Sequence, residues 1–214
     1  MINNKTYVFK IPLELPPTEE NRRNEFEIKI SNAQRRVSEF ASDYQWSKYV
    51  STPLIKKFQI CSTKEQFDKE VKLAFHLDPE TNLPKTYSAV LANDILLAVT
   101  PETYAENYPI GQEENAYEKL LAHELAHAFH IRILEGKEDE MGPRWFYEGF
   151  ALLAANQFQH VTEKMKKDDM QKIINTDESV SYVYYRQIMD ELLCKMDLKD
   201  AVNCARAQSF KFTL

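Results

Sequence analysis

The sequence predicts an α+β protein, in which a small mixed or antiparallel N-terminal sheet with its helices precedes a mainly helical lobe. Three observations carry this. Short apolar or alternating runs bounded by turn residues fall almost entirely before residue 100. From Glu113 the apolar spacing is helical almost to Cys204. Only four glycines occur in 214 residues, which suits a helical chain and argues against a Gly-rich phosphate loop. A chain of this length holds one domain, here with a sheet-and-helix part over residues 1–112 and a helical part over 113–214.

Residues 6–13 alternate and read as a strand that Pro16-Pro17 ends. Residues 19–45 read as a long charged helix, with Phe26, Ile30, Ala33, Val37 and Phe40 at helical spacing. Residues 54–60 form a second strand. Thr63 caps the next helix, because its hydroxyl can accept an N–H of the first turn, and Phe67, Val71 and Phe75 point inward. Residues 87–91 and 95–99 are short strands joined by Ala92-Asn93-Asp94, a hairpin signal. Pro101 starts a helical turn, and Phe210-Lys211-Phe212 reads as a last short strand.

The helical lobe opens with residues 116–134, which are apolar nearly all the way round and therefore buried. Within them stands His123-Glu124-Leu125-Ala126-His127, an H-E-x-x-H run. Residues four apart lie one helical turn apart on nearly the same face, so both imidazoles can point at one ion, and the spacing suits Zn²⁺. Glu124 flanks that ion without ligating it, where a carboxylate can take a proton from a polarised water. Two histidines and a glutamate in a buried helix are costly without partners, and a metal site supplies them. Hydrogen-bonded core histidines beside an ion-paired glutamate are the plainer alternative.

A hydrolytic zinc site uses three protein ligands. His130 shares the face but lies roughly 10 Å along the axis from His123, too far for one straight helix to converge all three. It is expected to be a helix-end residue or one that supports a ligand from behind. His76 and His160 read as surface histidines. Glu148 is the better third ligand. Gly142-Pro143 opens a second helix, and Glu148 is the only acid in its apolar stretch, residues 144–158. The polar run Gly136-Lys137-Glu138-Asp139-Glu140 lets that helix turn back on the first. Pairing of Glu148 with Arg144 or Arg132 is the alternative.

The motif His123-Glu124-x-x-His127 followed by Trp145-x-x-Glu148-Gly149-x-Ala151 resembles the gluzincin zinc metallopeptidases. It is most similar to the compact peptidase MA-like domains and to the catalytic core of aminopeptidase N, over roughly residues 85–195. The resemblance implies a zincin-like domain, with His123, His127 and Glu148 as zinc ligands and Glu124 as general base. It also implies a tyrosine downstream of the ligand glutamate as donor to the oxyanion. Tyr182, Tyr184 and Tyr185 are the candidates. Tyr182 and Tyr185 share a core-directed face with Met189 and Leu192, and Tyr184 points elsewhere, packing with Ile188. Tyr182 is preferred because it lies nearest the start of its helix; all three as core-edge tyrosines is the alternative. The chain departs from the pattern twice. Ser88-Ala89-Val90-Leu91-Ala92-Asn93 lacks the G-x-M-E-N strand that holds a substrate amino terminus. Leu152 stands where many relatives carry an acid or amide that orients a ligating histidine, so that support must come from elsewhere.

The expected function is a zinc-dependent hydrolase, a peptidase acting on a peptide or protein substrate. Zn²⁺ polarises the scissile carbonyl and a water, and Glu124 moves the water proton to the leaving amine. The exposed edge of the hairpin, expected near the His123 helix, can bind an extended peptide by strand addition, unless the N-terminal region covers it. Two other readings stay open: a peptidase-like binding module with an idle metal site, and a metal-free helical interaction protein. The net charge of −6 speaks against a nucleic-acid partner, and the short basic run at Lys164 passes straight into Asp168-Asp169. No apolar run reaches the length of a membrane span. Three cysteines at unrelated spacings make no zinc motif and no full disulfide set, and no signal-peptide core follows Met1. The expected compartment is the cytoplasm, with secretion as the alternative if a leader was removed.

Overall fold

The computed structural model describes residues 5–160, 164–207 and 212–213 of the chain. Its architecture is α+β: among the described residues there are four short strands, which form one mixed sheet, and eight α-helices. The strands are β1 (Leu13–Glu14), β2 (Lys57–Cys61), β3 (Ala89–Ala92) and β4 (Ile95–Val99). The sheet order is β1-β2-β4-β3, with β1, β2 and β4 parallel and β3 antiparallel to β4. Asn93 and Asp94 both adopt positive φ, 52° and 63°, the turn that a two-residue hairpin needs.

Residues 6–13 are not the strand their alternation suggests. Only Leu13–Glu14 joins the sheet. Upstream, the chain runs extended and is tied down by side chains of α1 (Arg23–Asp43). The Tyr7 N–H donates to Ser38 Oγ at 2.7 Å, and Phe9 exchanges two bonds with the Gln34 amide, each 3.0 Å. Helix side chains here do what a neighbouring strand would otherwise do for the backbone.

Helix α1 buries the predicted Phe26, Ile30, Ala33 and Val37, while Phe40 is half-buried. Thr63 caps α2 (Lys64–Ala74), its hydroxyl accepting the Gln66 N–H at 3.2 Å. Phe67 and Val71 point inward as expected. Phe75 does not: the helix has ended, and its ring is 45% exposed. Helix α3 (Pro101–Asn107) starts at Pro101 under a Thr100 cap. Successive residues of β4, from Leu96 to Val99, are all buried, so both faces of the sheet are covered. Helices α2 and α4 (Ala116–Ile133) pack on it.

The site depends on α4 and α5 (Arg144–Ala155), which pack against each other. The Tyr117 hydroxyl donates to the Val99 carbonyl at 2.7 Å and pins the first turn of α4 to the end of β4. Helices α6 (Lys167–Thr176), α7 (Tyr182–Leu193) and α8 (Leu198–Ala205) follow, and α7 packs on α5. Gly149 makes that approach possible: a Cβ there would lie 3.1 Å from both Met189 Cε and the Tyr185 carbonyl. The apolar core is contiguous from Leu15 to Phe212. The strand expected at 210–212 lies mostly outside the described residues, and Phe212 itself is buried without strand pairing. Among the described residues, no helix is long and apolar enough to cross a membrane.

Candidate metal centre

Helix α4 carries His123 and His127 one turn apart, and α5 brings Glu148 against them. His123 Nε2 lies 3.1 Å from Glu148 Oε2 and 3.1 Å from His127 Nε2, and His127 Nε2 lies 3.6 Å from the same carboxylate oxygen. The three side chains form a group able to hold a metal ion. Their spacing suits one. Ligand atoms at roughly 2.0–2.1 Å from a tetrahedral ion stand about 3.3 Å apart, and these three separations bracket that value. The donor chemistry agrees. Two imidazole nitrogens and a carboxylate oxygen facing one point repel unless a cation or a shared proton lies between them. Neither Arg144 nor Arg132 pairs with Glu148. Arg132 instead donates to the carbonyls of Tyr49, Thr52 and Pro53, 2.6–3.1 Å away. Burial alone raises the Glu148 carboxyl, but hydrogen bonds with His123 and His127 outweigh it and hold the group well below the usual carboxylate range.

The residue that orients His123 was not legible in the sequence. Gln157 Oε1 lies 3.0 Å from His123 Nδ1, so the ring donates there and its Nε2 lone pair faces the cluster. Gln157 sits just past the end of α5, between Asn156 and Phe158, which both have φ of 55°. That double left-handed turn folds it back toward α4. Buried Arg186, on α7, holds the turn by donating to the Gln157 carbonyl at 2.8 Å. The role left open by Leu152 is thus filled five residues further on.

Glu124 faces the cluster without belonging to it. Its carboxylate lies in the cleft beside Leu91 of β3, whose backbone N–H favours the charged form. Burial pushes the group up to about 7; the charge of Glu148 adds to this, and His123 and the Leu91 N–H oppose it. A carboxyl group poised near neutrality suits proton transfer. Strand β3 is the outer strand of the sheet, and β1, with the N-terminal segment that leads into it, is at the opposite edge. The described residues of the N-terminal region therefore do not cover this edge.

Two tyrosines from different elements complete the site. Tyr182, the first residue of α7, has its ring centroid 5.6 Å from that of His123. It is 38% exposed, whereas Tyr185 is 1% exposed, so the two do not share one core-directed role. The Tyr185 hydroxyl donates to the Glu178 carbonyl at 2.9 Å and accepts the Val180 N–H at 3.1 Å, clamping the loop before α7. Tyr184 is exposed. Tyr87, just before β3, lines the same cleft and was not singled out by any motif. Burial, and then the charges of Glu148 and Glu124, raise the Tyr182 hydroxyl; burial, Glu124 and Glu148 do the same for Tyr87, so both remain protonated donors.

His130 lies in the last turn of α4 but supports no ligand. Its ring stacks on Phe150 at 4.3 Å, and neither of its buried ring nitrogens has a hydrogen-bond partner. His76 and His160 are exposed, as their polar surroundings suggest. No family model matches this chain, and no curated protein or solved structure matches it either.

Proposed function

We propose that this protein is a zinc-dependent peptidase of the gluzincin kind, hydrolysing peptide bonds in the cleft beside β3. One observation carries the reading: three metal-competent side chains converge, while a fourth, Glu124, stands next to them with a carboxyl group near neutrality and no ligand role. A zinc ion held by His123, His127 and Glu148 would polarise a substrate carbonyl and an attacking water. Two nitrogens and one oxygen are a donor set found in hydrolytic zinc sites.

The other steps belong to the chain. Glu124 receives a proton from the attacking water at its carboxylate and returns it to the departing amine. Tyr182 donates a hydrogen bond to the oxyanion that develops at the attacked carbonyl. The outer strand β3, beside the cleft, would supply backbone groups to an extended substrate and align a peptide along it. Backbone recognition of this kind favours a peptide over an ester or a sugar.

The test is digestion of a broad peptide library by the parent protein, the chelator-treated protein and Glu124→Gln. Cleavage should vanish with chelator, return with zinc, and fall at least about a hundredfold in Glu124→Gln, the usual scale for a general base. Cleavage by Glu124→Gln at the parental rate would falsify the assignment.

A further inference from the structure

The cleft has two halves that meet at Tyr87, His123, Glu124 and Tyr182. The smaller is a cavity of about 350 Å³, at the lower end of the range for ligand pockets. Resting on the peptidase reading above, we propose that this half selects the substrate: it receives a large, uncharged, aromatic side chain of the peptide next to the scissile bond.

The walls are the first reason. Rings of Tyr87, Tyr104, Tyr108 and Tyr182 surround the cavity, with Leu120 and Val180 between them. The rings are held in place from outside. Phe67 meets Tyr87 edge-on with centroids 5.6 Å apart. Tyr104 lies 6.2 Å from Tyr108 and 6.5 Å from Tyr117. Gly111 leaves the room that Tyr108 occupies, since a Cβ there would fall 2.2 Å from the ring. Tyr108, just after α3, and Ser181, at the start of α7, line the same wall. A fixed cage of rings favours an aromatic guest over an aliphatic one of similar size by about two- to tenfold.

Charge is the second reason. Among the described residues, no lysine or arginine lines either half of the cleft. Among the described residues Glu124 is the only carboxylate lining the smaller half, and an acidic side chain there would be desolvated beside it with no counter-ion. A basic side chain would find no carboxylate but the proposed base itself. The larger half, about 500 Å³, differs: Glu138, Asp139 and Glu148 all line it. The aromatic preference therefore belongs to one side of the scissile bond only.

The test has two independent readouts. A peptide library varied at each position around the cleaved bond is digested by the parent protein, Val180→Trp and Tyr108→Ala, and the cut sites are read by mass spectrometry. Binding of acetyl-phenylalanine amide, acetyl-leucine amide and acetyl-glutamate amide to the same proteins is measured by calorimetry. The parent should favour Phe, Tyr or Trp over Leu at one position by about two- to tenfold, and over Glu by more than about tenfold. The amides should bind in the same order. Val180→Trp fills the cavity and should abolish the aromatic preference in both readouts; Tyr108→Ala should narrow the gap between Phe and Leu. If no peptide is cut, yet the phenylalanine amide binds and Val180→Trp blocks it, the pocket stands and the peptidase reading falls. If peptides are cut without aromatic preference, or with one that Val180→Trp leaves intact, the pocket assignment is overturned and the peptidase reading stands.

Discussion

Gln157 Oε1 and His123 Nδ1 stand 3.0 Å apart, and that contact decides which nitrogen of His123 faces His127 and Glu148. An imidazole free to choose its tautomer presents a proton to the ion part of the time. Partners of this kind are worth about 10- to 100-fold in metal affinity. Gln157→Leu should lose that much, measured by chelator competition, and Gln157→Glu should recover most of it. A Leu variant that binds metal as tightly as the parent would remove Gln157 from the site.

The cluster itself predicts stoichiometry. Protein purified without chelator should carry about one metal ion per chain. Removing both imidazoles in a His123→Ala, His127→Ala variant should abolish binding, and Glu148→Ala should weaken it strongly. Full metal content in the double histidine variant would mean that the ion sits elsewhere.

The convergence of His123, His127 and Glu148 was legible because two local rules reach them. The helical repeat places His123 and His127 on one face whatever the rest of the chain does. A lone acid in an apolar helix requires a partner, which singles out Glu148. Gln157 and Tyr87 obey no such rule. Gln157 is placed by a left-handed turn after the helix and by Arg186, 29 residues away in sequence. Tyr87 precedes a strand and is placed by the sheet. The mixed sheet was readable from its short runs. The short extent of β1 was not, because Ser38 and Gln34 take over the backbone groups of Tyr7 and Phe9 through contacts across more than twenty residues.

His130 predicts an acid-dependent loss of stability. Burial pushes its ring down to about 3 from 6.5, so the folded protein keeps it neutral. Between those values the unfolded chain binds a proton that the folded chain refuses, so stability rises with pH across the window. The contribution is complete above about pH 6.5 and is withdrawn as the pH falls toward 3. His130→Phe keeps the stack on Phe150 and removes both unpartnered nitrogens, whose burial costs on the order of 1–3 kcal/mol. The variant should match or exceed the parent's melting temperature at neutral pH and lose less of it between pH 6.5 and 4. A variant with the parent's pH slope would show that other groups set the acid response.

Tyr182 predicts a rate effect separable from binding. Its ring stands beside His123 and lines both halves of the cleft, and its hydroxyl stays protonated because burial and the charges of Glu148 and Glu124 disfavour the phenolate. A neutral donor there is strongest where negative charge develops, which is the attacked carbonyl oxygen in the transition state. Tyr182→Phe should lower kcat at least about tenfold while leaving KM and metal content nearly unchanged. Tyr185→Phe is the contrasting variant. Its hydroxyl is already committed to Glu178 and Val180, so its loss should cost stability, on the order of 1–3 kcal/mol, through the two broken bonds. Tyr87→Phe separates the remaining possibility, because Tyr87 also lines both halves of the cleft near the same carboxylates. If Tyr87→Phe lowers kcat and Tyr182→Phe does not, the donor comes from the sheet side of the cleft and not from α7.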